Sequence, residues 1–380
     1  MHLDLRDSER LILQVVRRKK LISRAAIARE TKLSKPVVSE GVARLLDKGI
    51  LMEVKKGKSS NRGGKRPVLL SFRPDFRYIV GLDVGGTNTR AVLTDLEGRV
   101  IEKKFSKTGT LRSEAEFFSK CVDMIDSVIS VPKMRILGIG VGIPGTVDPE
   151  TGYIYNMPAL GLKDVNLKEF LEKHYDLDVF LANDVTLNAL GELWQGAAKN
   201  KRNVLLVSIG TGLGAGLIIN RELYEGTHGM AGEMGFTVTD WSEEKKLKFE
   251  FFGALENWIS GYGLGKKLKE EGFELPVEEF FQLIDEHERF NRIFMEACEH
   301  LALALANAIL LLDPDMVVIA GGIGFNHYER IMSVVTPVLE KVVMPELLNK
   351  VRFARAELGE LGVALGAAGW VLMRSFIGVY

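Results

Sequence analysis

The chain has 380 residues, of which 46% are hydrophobic and 26% charged, and its formal net charge is zero. This length predicts two or three domains with sizeable cores. No apolar run approaches the roughly 20 residues of a membrane-spanning helix, and the two cysteines form no disulfide or metal-binding pattern. These features exclude a membrane protein and a disulfide-rich secreted domain, so we expect a cytoplasmic protein without a membrane partner.

The zero net charge conceals an uneven distribution. Residues 1–70 carry 18 basic and 7 acidic side chains, a net charge of +11 that the rest of the chain balances. A basic module on an acidic body favours contact with a polyanion. Nucleic acid is the favoured partner, although a solvated basic surface has the same composition.

The basic module has the pattern of a winged helix-turn-helix. Apolar spacing, capping serines and a closing glycine predict three helices, and two strand-like runs flank a basic loop. The predicted helices cover 7–18, 23–30 and 34–49, and the strands cover 50–54 and 68–72. We therefore predict a DNA-binding domain over residues 1–72; the alternative is a small helical module that docks a protein.

The usual docking mode of this domain assigns two sets of DNA contacts. The third helix enters the major groove by its first turns, and the basic loop contacts phosphate or the minor groove. The residues expected at base edges are Ser34, Lys35, Val37, Val38 and Ser39. The residues expected at the DNA backbone are Lys58, Arg62, Lys65 and Arg66.

The body that follows Pro74-Asp75 alternates strands and helices, which predicts an α/β fold. The predicted strands cover 78–84, 91–95, 100–104, 135–141, 179–183, 204–209, 214–219 and 316–320. The predicted helices cover 114–130, 167–174, 185–191, 278–288, 290–312 and 362–376.

Three glycine-rich turns follow strands of this body. V-G-L-D-V-G-G-T-N-T-R and S-I-G-T-G-L-G-A-G both read strand, turn, strand, and A-G-G-I-G ends a third strand. Such turns can expose backbone N–H groups to a phosphate, although a Gly-Gly turn also closes an ordinary hairpin. The order of the three turns predicts a nucleotide between two similar lobes, with Asp83 holding magnesium through water. The candidate phosphate-binding residues are Asp83, Gly85, Gly86, Thr87, Gly210, Thr211, Gly212, Gly214, Gly321 and Gly322.

With these motifs the whole chain resembles the ROK family of sugar kinases and sugar-responsive repressors. D-V-G-G-T-N-T-R and G-T-G-L-G-A-G resemble its phosphate loops, L-A-N-D-V its catalytic strand end, and H-G-M-A-G-E-M-G-F its sugar motif. The winged module resembles the repressor branch. The resemblance implies a two-lobed actin/hexokinase-like (ribonuclease H-like) ATPase fold over 73–380. It places lobe one at about 73–190 plus 362–380, and lobe two at about 191–361.

The resemblance also implies a sugar site. Its residues would be Gly145, Asn156, Asn183, Asp184, His228, Glu233 and Glu256. Asp184 matches the general base of the family, since a carboxylate that accepts a hydroxyl proton activates the sugar oxygen; it could also cap the following helix. Glu233 lies among small residues, where burial without a ligand would be costly. His228 could face the sugar or simply occupy the loop.

The chain departs from the family pattern at the structural zinc site. The four positions that would ligate zinc are Phe236, Leu247, Phe249 and Ala254. Zinc needs S, N or O donors, so we expect no zinc and hypothesise that a hydrophobic cluster holds this segment instead.

The sequence thus favours a sugar-responsive repressor of carbohydrate-utilisation genes that binds operator DNA as a homodimer or higher homo-oligomer. The alternative is an ATP-dependent sugar kinase, perhaps bifunctional, of the glucose, N-acetylglucosamine or mannose type. No cofactor is expected to be tightly bound, and ATP with magnesium is compatible with the loops. Glucose, mannose, N-acetylglucosamine and xylose all stay open as the sugar.

Overall fold

The structure is a computed structural model of the chain, and it describes residues 5–56, 67–111, 113–148, 150–240 and 252–376. Within these ranges the chain forms a small α/β module followed by two larger α/β lobes. The mixed α/β class predicted from the sequence is confirmed.

The first module is a three-helix unit with a three-stranded sheet in the order β1-β3-β2. Its elements are α1 (Asp7–Lys19), β1 (Ile22–Ser23), α2 (Arg24–Thr31), α3 (Lys35–Asp47), β2 (Leu51–Lys56) and β3 (Val68–Phe72). Ser23 and Ser34 cap α2 and α3 by accepting hydrogen bonds from Ala26 N and Val37 N. Glu9 of α1 is buried and accepts a 2.7 Å hydrogen bond from Arg44 of α3, which fixes the crossing of these two helices.

Lobe one is built on a five-stranded sheet in the order β11-β7-β4-β5-β6. Strands β4, β7 and β11 are parallel, while β5 and β6 continue from β4 as an antiparallel meander. A small sheet of β8, β9 and β10 lies beside it. The elements are β4 (Tyr78–Val84), β5 (Asn88–Asp95), β6 (Val100–Lys107), α4 (Glu114–Asp126), β7 (Ile136–Ile143), β8 (Thr146–Val147), β9 (Ile154–Met157), β10 (Leu162–Val165), α5 (Leu167–Tyr175), β11 (Val179–Asn183) and α6 (Asp184–Gln195).

Lobe two repeats this topology with a sheet in the order β14-β13-β12-β15-β16. The strands β12, β15 and β16 are parallel, and β13 and β14 form the meander. The repeat that the glycine turns predicted is therefore present in the fold. The elements are β12 (Val204–Ile209), β13 (Leu213–Ile219), β14 (Glu222–Tyr224), α7 (Glu256–Ile259), α8 (Gly261–Glu270), α9 (Val277–Leu283), α10 (Glu288–Leu312), β15 (Met316–Ala320), α11 (Gly321–Asn326), α12 (Tyr328–Val342), α13 (Pro345–Leu348) and β16 (Arg352–Arg355).

Two helices cross between the lobes. Helix α6 packs against β12 and β13 of lobe two, whereas the last helix, α14 (Gly362–Ser375), packs against β4, β7 and β11 of lobe one. At their crossing the backbones touch, because a Cβ on Gly366 would lie 1.7 Å from the Leu187 carbonyl oxygen and one on Gly191 would lie 2.3 Å from that of Gly362. Glycine is required there by close approach.

The first module packs against lobe one and α14. Arg10 of α1 donates a hydrogen bond to the Phe376 carbonyl at the end of α14, and the rings of Phe72 and Phe376 lie 6.3 Å apart. Arg17 donates to the Leu96 carbonyl of lobe one. The module and the body therefore share a continuous apolar core.

Some elements of the fold were missed from the sequence, and one long helix is strongly apolar. The helices α7, α8, α11, α12 and α13 and the strands β1, β8–β10, β14 and β16 were not predicted. Strands of two to four residues are too short to show a period. Helix α10 is the one helix of the described residues that is long and apolar enough to cross a membrane. Its buried side chains belong to the core of lobe two.

Candidate functional site

Two carboxylates meet at the carboxyl ends of the parallel strands of lobe one. Asp83 is the penultimate residue of β4, and Asp184 is the first residue of α6, directly after β11. Burial raises the pKa of Asp83 to about 6. Burial, and then the negative charge of Asp83, raise the pKa of Asp184 to about 7. Asp184 can therefore exchange a proton near neutral pH, as a general base must.

Asp83 is already paired with a cation of its own chain. Arg90 lies opposite it in the β4–β5 register, donates a 3.0 Å hydrogen bond to Asp83 Oδ2, and forms a second, 3.3 Å contact with Glu360 just before α14. The Arg90 side chain is 16% exposed. The network links the floor of the cleft to the start of the last helix.

This pairing bears on the magnesium that the fold family implies. Mg²⁺ needs oxygen ligands in near-octahedral geometry, yet one oxygen of Asp83 is committed to Arg90, whose positive charge would repel a divalent ion placed beside it. The residues at Asp83 as arranged do not fit a magnesium site, and we derive no step through one.

The first glycine turn, at Gly85-Gly86, is closed by its own backbone hydrogen bond. Gly85 N donates to the Asn88 carbonyl at 3.0 Å, so this amide does not point at a ligand. Thr108 Oγ1 donates to the Gly85 carbonyl at 2.6 Å and so anchors the turn. Gly86 and Thr87 are exposed at its tip. The expectation that this turn exposes its backbone N–H groups to a phosphate is therefore wrong for the Gly85 amide.

The second and third turns pack against each other in lobe two. Gly210 N donates to the Gly212 carbonyl at 2.9 Å, which closes the β12–β13 hairpin. Gly321 has φ of +78°, and a Cβ there would lie 2.4 Å from the Ile209 carbonyl oxygen. Glycine is thus required at position 321, both because φ is positive and because a side chain would not fit. Thr211 and Gly322 are exposed and Gly214 is half-buried; their phosphate contacts stay a prediction.

The asparagine beside Asp184 has structural partners. Asn183 Oδ1 accepts hydrogen bonds from the backbone N–H groups of Val185 and Thr186, and its amide donates to the Gly145 carbonyl at 3.2 Å. Asn183, rather than Asp184, is therefore the N-cap of α6. A Cβ on Gly145 would lie 2.0 Å from the Asn156 carbonyl oxygen, so β9 is held against the end of β7. The sugar contacts of Asn156 and Gly145 stay predictions.

The two acidic residues of the predicted sugar site in lobe two differ in their surroundings. Glu256 is buried and accepts hydrogen bonds from Leu213 N at 2.8 Å and Gly253 N at 2.7 Å. Glu233 is exposed on the face of the sugar motif, so it does not bear the cost of burial without a ligand, and its sugar contact stays a prediction. Partial desolvation and the charge of Glu256 raise the pKa of Glu233. His228 is exposed in the turn before it, and its sugar contact stays a prediction.

The segment that would carry zinc is held by other contacts. Phe236 and Ala254 are half-buried and offer no metal donor, so the described positions do not fit the ion; Leu247 and Phe249 lie outside the described residues. Thr239 Oγ1 and His300 Nδ1 lie 2.7 Å apart, and the His300 ring stacks on Trp258 at 3.8 Å. These contacts tie the segment to α10.

Four of the five α3 residues predicted to contact DNA bases are exposed, and their DNA contacts stay a prediction. Ser34, Lys35, Val37 and Ser39 are exposed, whereas Val38 is 1% exposed and packs in the module core. The prediction that Val38 contacts a base is therefore wrong: it continues the inner stripe with Val42 and Leu45, four and seven residues on. Lys58, Arg62, Lys65 and Arg66 lie outside the described residues.

The fold and the cleft together define a class of protein. A helix-turn-helix module with a β2–β3 strand pair is joined to a two-lobed, hexokinase-like body, in which Asp83 and Asp184 lie at the strand ends of lobe one. The ROK family model matches residues 79–374, and the chain belongs to the ROK family.

Three relatives place the chain within this family. The Xylose repressor of Bacillus subtilis (strain 168) is 31% identical over 372 residues, which cover 96% of this chain and 94% of that protein. The Glucokinase of Halalkalibacterium halodurans is 28% identical, covering 78% and 95%. The crystal structure of a ROK family transcriptional regulator, described as a homolog of the E. coli MLC protein, superposes with a TM-score of 0.79 at 21% identity, covering 97% and 95%. The glucokinase alignment thus spans less of the chain than the two regulator alignments do.

Proposed function

We propose that the chain is a sugar-responsive transcriptional repressor of carbohydrate-utilisation genes. The observation that carries this proposal is the winged helix-turn-helix, which presents an exposed recognition helix and is seated on a two-lobed body of the sugar-kinase type. A kinase has no use for such a module. The relatives that align over nearly the whole chain support the same function.

The effector we propose is a pentose, with D-xylose as the first choice. The sugar lies between the lobes, where Asp184 of lobe one and Glu233 of lobe two accept hydrogen bonds from its hydroxyl groups. Several relatives that align over at least 95% of this chain are named as xylose repressors. A hexose or an N-acetylated sugar is the alternative that a sugar panel decides.

Sugar binding releases DNA by closing the cleft. A ligand held by both lobes binds the closed form more tightly than the open form, and only this difference in affinity shifts the equilibrium. Because the DNA-binding module is packed against lobe one and α14, rotation of lobe two changes the spacing of the two modules in a homodimer. Half-sites lie about 34 Å apart with little tolerance. We place the repressor dimer in the cytoplasm, bound to operator DNA.

The test begins with a DNA site that the protein itself selects from a random duplex library. Fluorescence anisotropy then measures the operator affinity with D-xylose, D-glucose, D-mannose or N-acetyl-D-glucosamine present. One of these sugars should weaken operator binding by at least tenfold, and D-xylose is expected to do so. Failure to select any site, or unchanged affinity with every sugar, contradicts the proposal.

A second candidate function is an ATP-dependent sugar kinase. The pKa of Asp184, raised to about 7, suits a general base, whereas the Arg90–Asp83 pair opposes a magnesium site. The two functions separate by measuring ADP release with the same four sugars. Turnover that disappears in Asp184→Asn supports the kinase, and no ADP above the sugar-free control supports the repressor alone.

A further inference from the structure

One ion pair spans the two lobes beside the DNA-binding module. Glu225 follows β14 in lobe two, and Arg374 lies in the last turn of α14, the helix that packs on lobe one. Glu225 Oε2 and Arg374 Nη2 are 4.0 Å apart, with side chains 20% and 42% exposed. We propose that this pair is an interlobe latch through which the sugar loop acts on the DNA-binding module. The inference rests on the proposed repressor function and adds the route of the signal.

On the sugar side, Glu225 begins a closed loop that ends two residues before Glu233. Ala231 N donates a 3.0 Å hydrogen bond to the Glu225 carbonyl, so the loop 225–231 closes on itself two residues before Glu233. Ala215 N donates to the Gly232 carbonyl at 2.8 Å, which holds the end of the loop to β13. Because the loop is closed on itself and its end is held to β13, a sugar that moves lobe two through Glu233 also moves Glu225.

On the DNA side, Arg374 lies two residues before the seat of the module. The Phe376 ring is 1% exposed and packs against Phe72 of β3. The Phe376 carbonyl accepts a hydrogen bond from Arg10 of α1. The guanidinium of Arg374 also lies 4.4 Å from the centroid of the Trp370 ring, one turn earlier in α14. A displacement of the Arg374 guanidinium therefore moves the last turn of α14, which supports α1 and β3.

The electrostatics of the pair suit a latch that opens and closes. Burial raises the pKa of Glu225, and the nearby Arg374 opposes that rise. A carboxylate that is partly desolvated loses more on separation from its cation than a fully exposed one. At a separation of 4.0 Å the pair is weak enough to be broken by the binding energy of a small sugar.

The latch is tested with two single variants and their charge-swapped combination. Glu225→Gln and Arg374→Gln each remove one charge at nearly constant volume, and Glu225→Lys with Arg374→Glu restores an inverted pair. The readout is the operator dissociation constant with saturating D-xylose divided by its value without sugar. We expect this ratio to fall at least threefold in each single variant and to return to within twofold of wild type in the swap.

Two controls separate the latch from a general loss of charge or of sugar binding. Arg330→Gln removes an exposed pair with Asp285, which lies in lobe two away from α14, and should leave the ratio unchanged. Calorimetric titration of D-xylose without DNA should give every variant an affinity within threefold of wild type.

The outcomes distinguish the latch from the function it serves. A wild-type ratio in both single variants overturns the latch while the repressor function stands. A wild-type protein whose operator affinity ignores all four sugars overturns the proposed function, and the latch falls with it.

Discussion

The close crossing of α6 and α14 predicts that Gly366→Ala destabilises the protein, whereas the same substitution at an open position in α8 should stabilise it. Gly366→Ala places a Cβ 1.7 Å from the Leu187 carbonyl oxygen and 2.5 Å from its carbon. Since Cβ contacts shorter than 3.0 Å essentially do not occur, the two backbones must separate by roughly 1 Å or more. Neither neighbour is a side chain, so no rotamer change relieves the clash.

The magnitude follows from two opposing terms. Overpacking a well-packed interface costs about 1–3 kcal/mol, and the rigid backbone contact places this case at the upper end. Replacing Gly by Ala inside a helix returns about 1 kcal/mol. Gly366→Ala should therefore lower the free energy of unfolding by about 2 kcal/mol.

Gly265→Ala in α8 is the matched control. There the nearest atom to the new Cβ is Val277 Cγ2 at 3.7 Å, an ordinary contact, so only the helix propensity changes and stability should rise by about 0.5–1 kcal/mol. Urea denaturation followed by tryptophan fluorescence reports both, because Trp194 and Trp370 lie on the crossing helices. A Gly366→Ala protein at least as stable as wild type would refute the close crossing.

Three further predictions follow from the site and the DNA surface. Asp184→Asn should stabilise the protein increasingly between pH 4 and 7. The pKa of Asp184 is about 7 in the folded state against an ordinary 3.8, so the wild-type protein loses stability as the pH rises through this window. Thermal melts at pH 4, 6 and 8 that show no such trend would contradict the raised pKa. Val38→Ala should destabilise the first module by about 1–2 kcal/mol. The exposed Val37→Ala should change stability by less than about 0.5 kcal/mol and weaken operator binding instead. Equal effects of the two variants in thermal melts and in anisotropy would contradict the assignment of these two valines. Arg62→Ala with Arg66→Ala should weaken binding to all DNA sequences and flatten its salt dependence, and an unchanged slope of log Kd against log salt would remove the wing from the interface.

The sequence predicted the parts of the molecule that are local. Asp83 was found because it lies at the end of an apolar strand, just before a glycine turn, whereas Asp184 was found through the family resemblance of L-A-N-D-V. The repeated glycine turns predicted two lobes, and the structure repeats the strand order in both. The family motifs predicted which other residues belong to the site, but not which atoms they contact.

The contacts that were missed join residues far apart in the chain. Arg90 contacts Glu360, 270 positions away in the sequence, and Glu225 of lobe two contacts Arg374 near the end of α14. A single sequence holds no information on such pairs until the fold places them together. Arg90 left one usable signal, since a hairpin closed at Gly85-Gly86 sets Arg90 opposite Asp83.

Two errors have different physical origins. Val38 was assigned to DNA by its nearness to the N-terminus of the recognition helix, although its spacing to Val42 and Leu45 already indicated the buried stripe. The N-cap of α6 could not be decided from sequence, because Asn and Asp cap equally well and the two stand side by side. Only the backbone, with Asn183 outside the helical region at φ −59° and ψ 141°, separates them.

The most direct test of the account is a titration of D-xylose into the complex of the protein with fluorescent operator DNA, run in parallel with Glu233→Ala. Glu233 is exposed on the second lobe and far in sequence from the DNA-binding module, so its truncation should leave operator affinity without sugar within twofold of wild type. The account predicts that D-xylose releases the operator from the wild-type protein and not from Glu233→Ala. Release from both proteins at the same sugar concentration would show that the interlobe cleft is not the effector site.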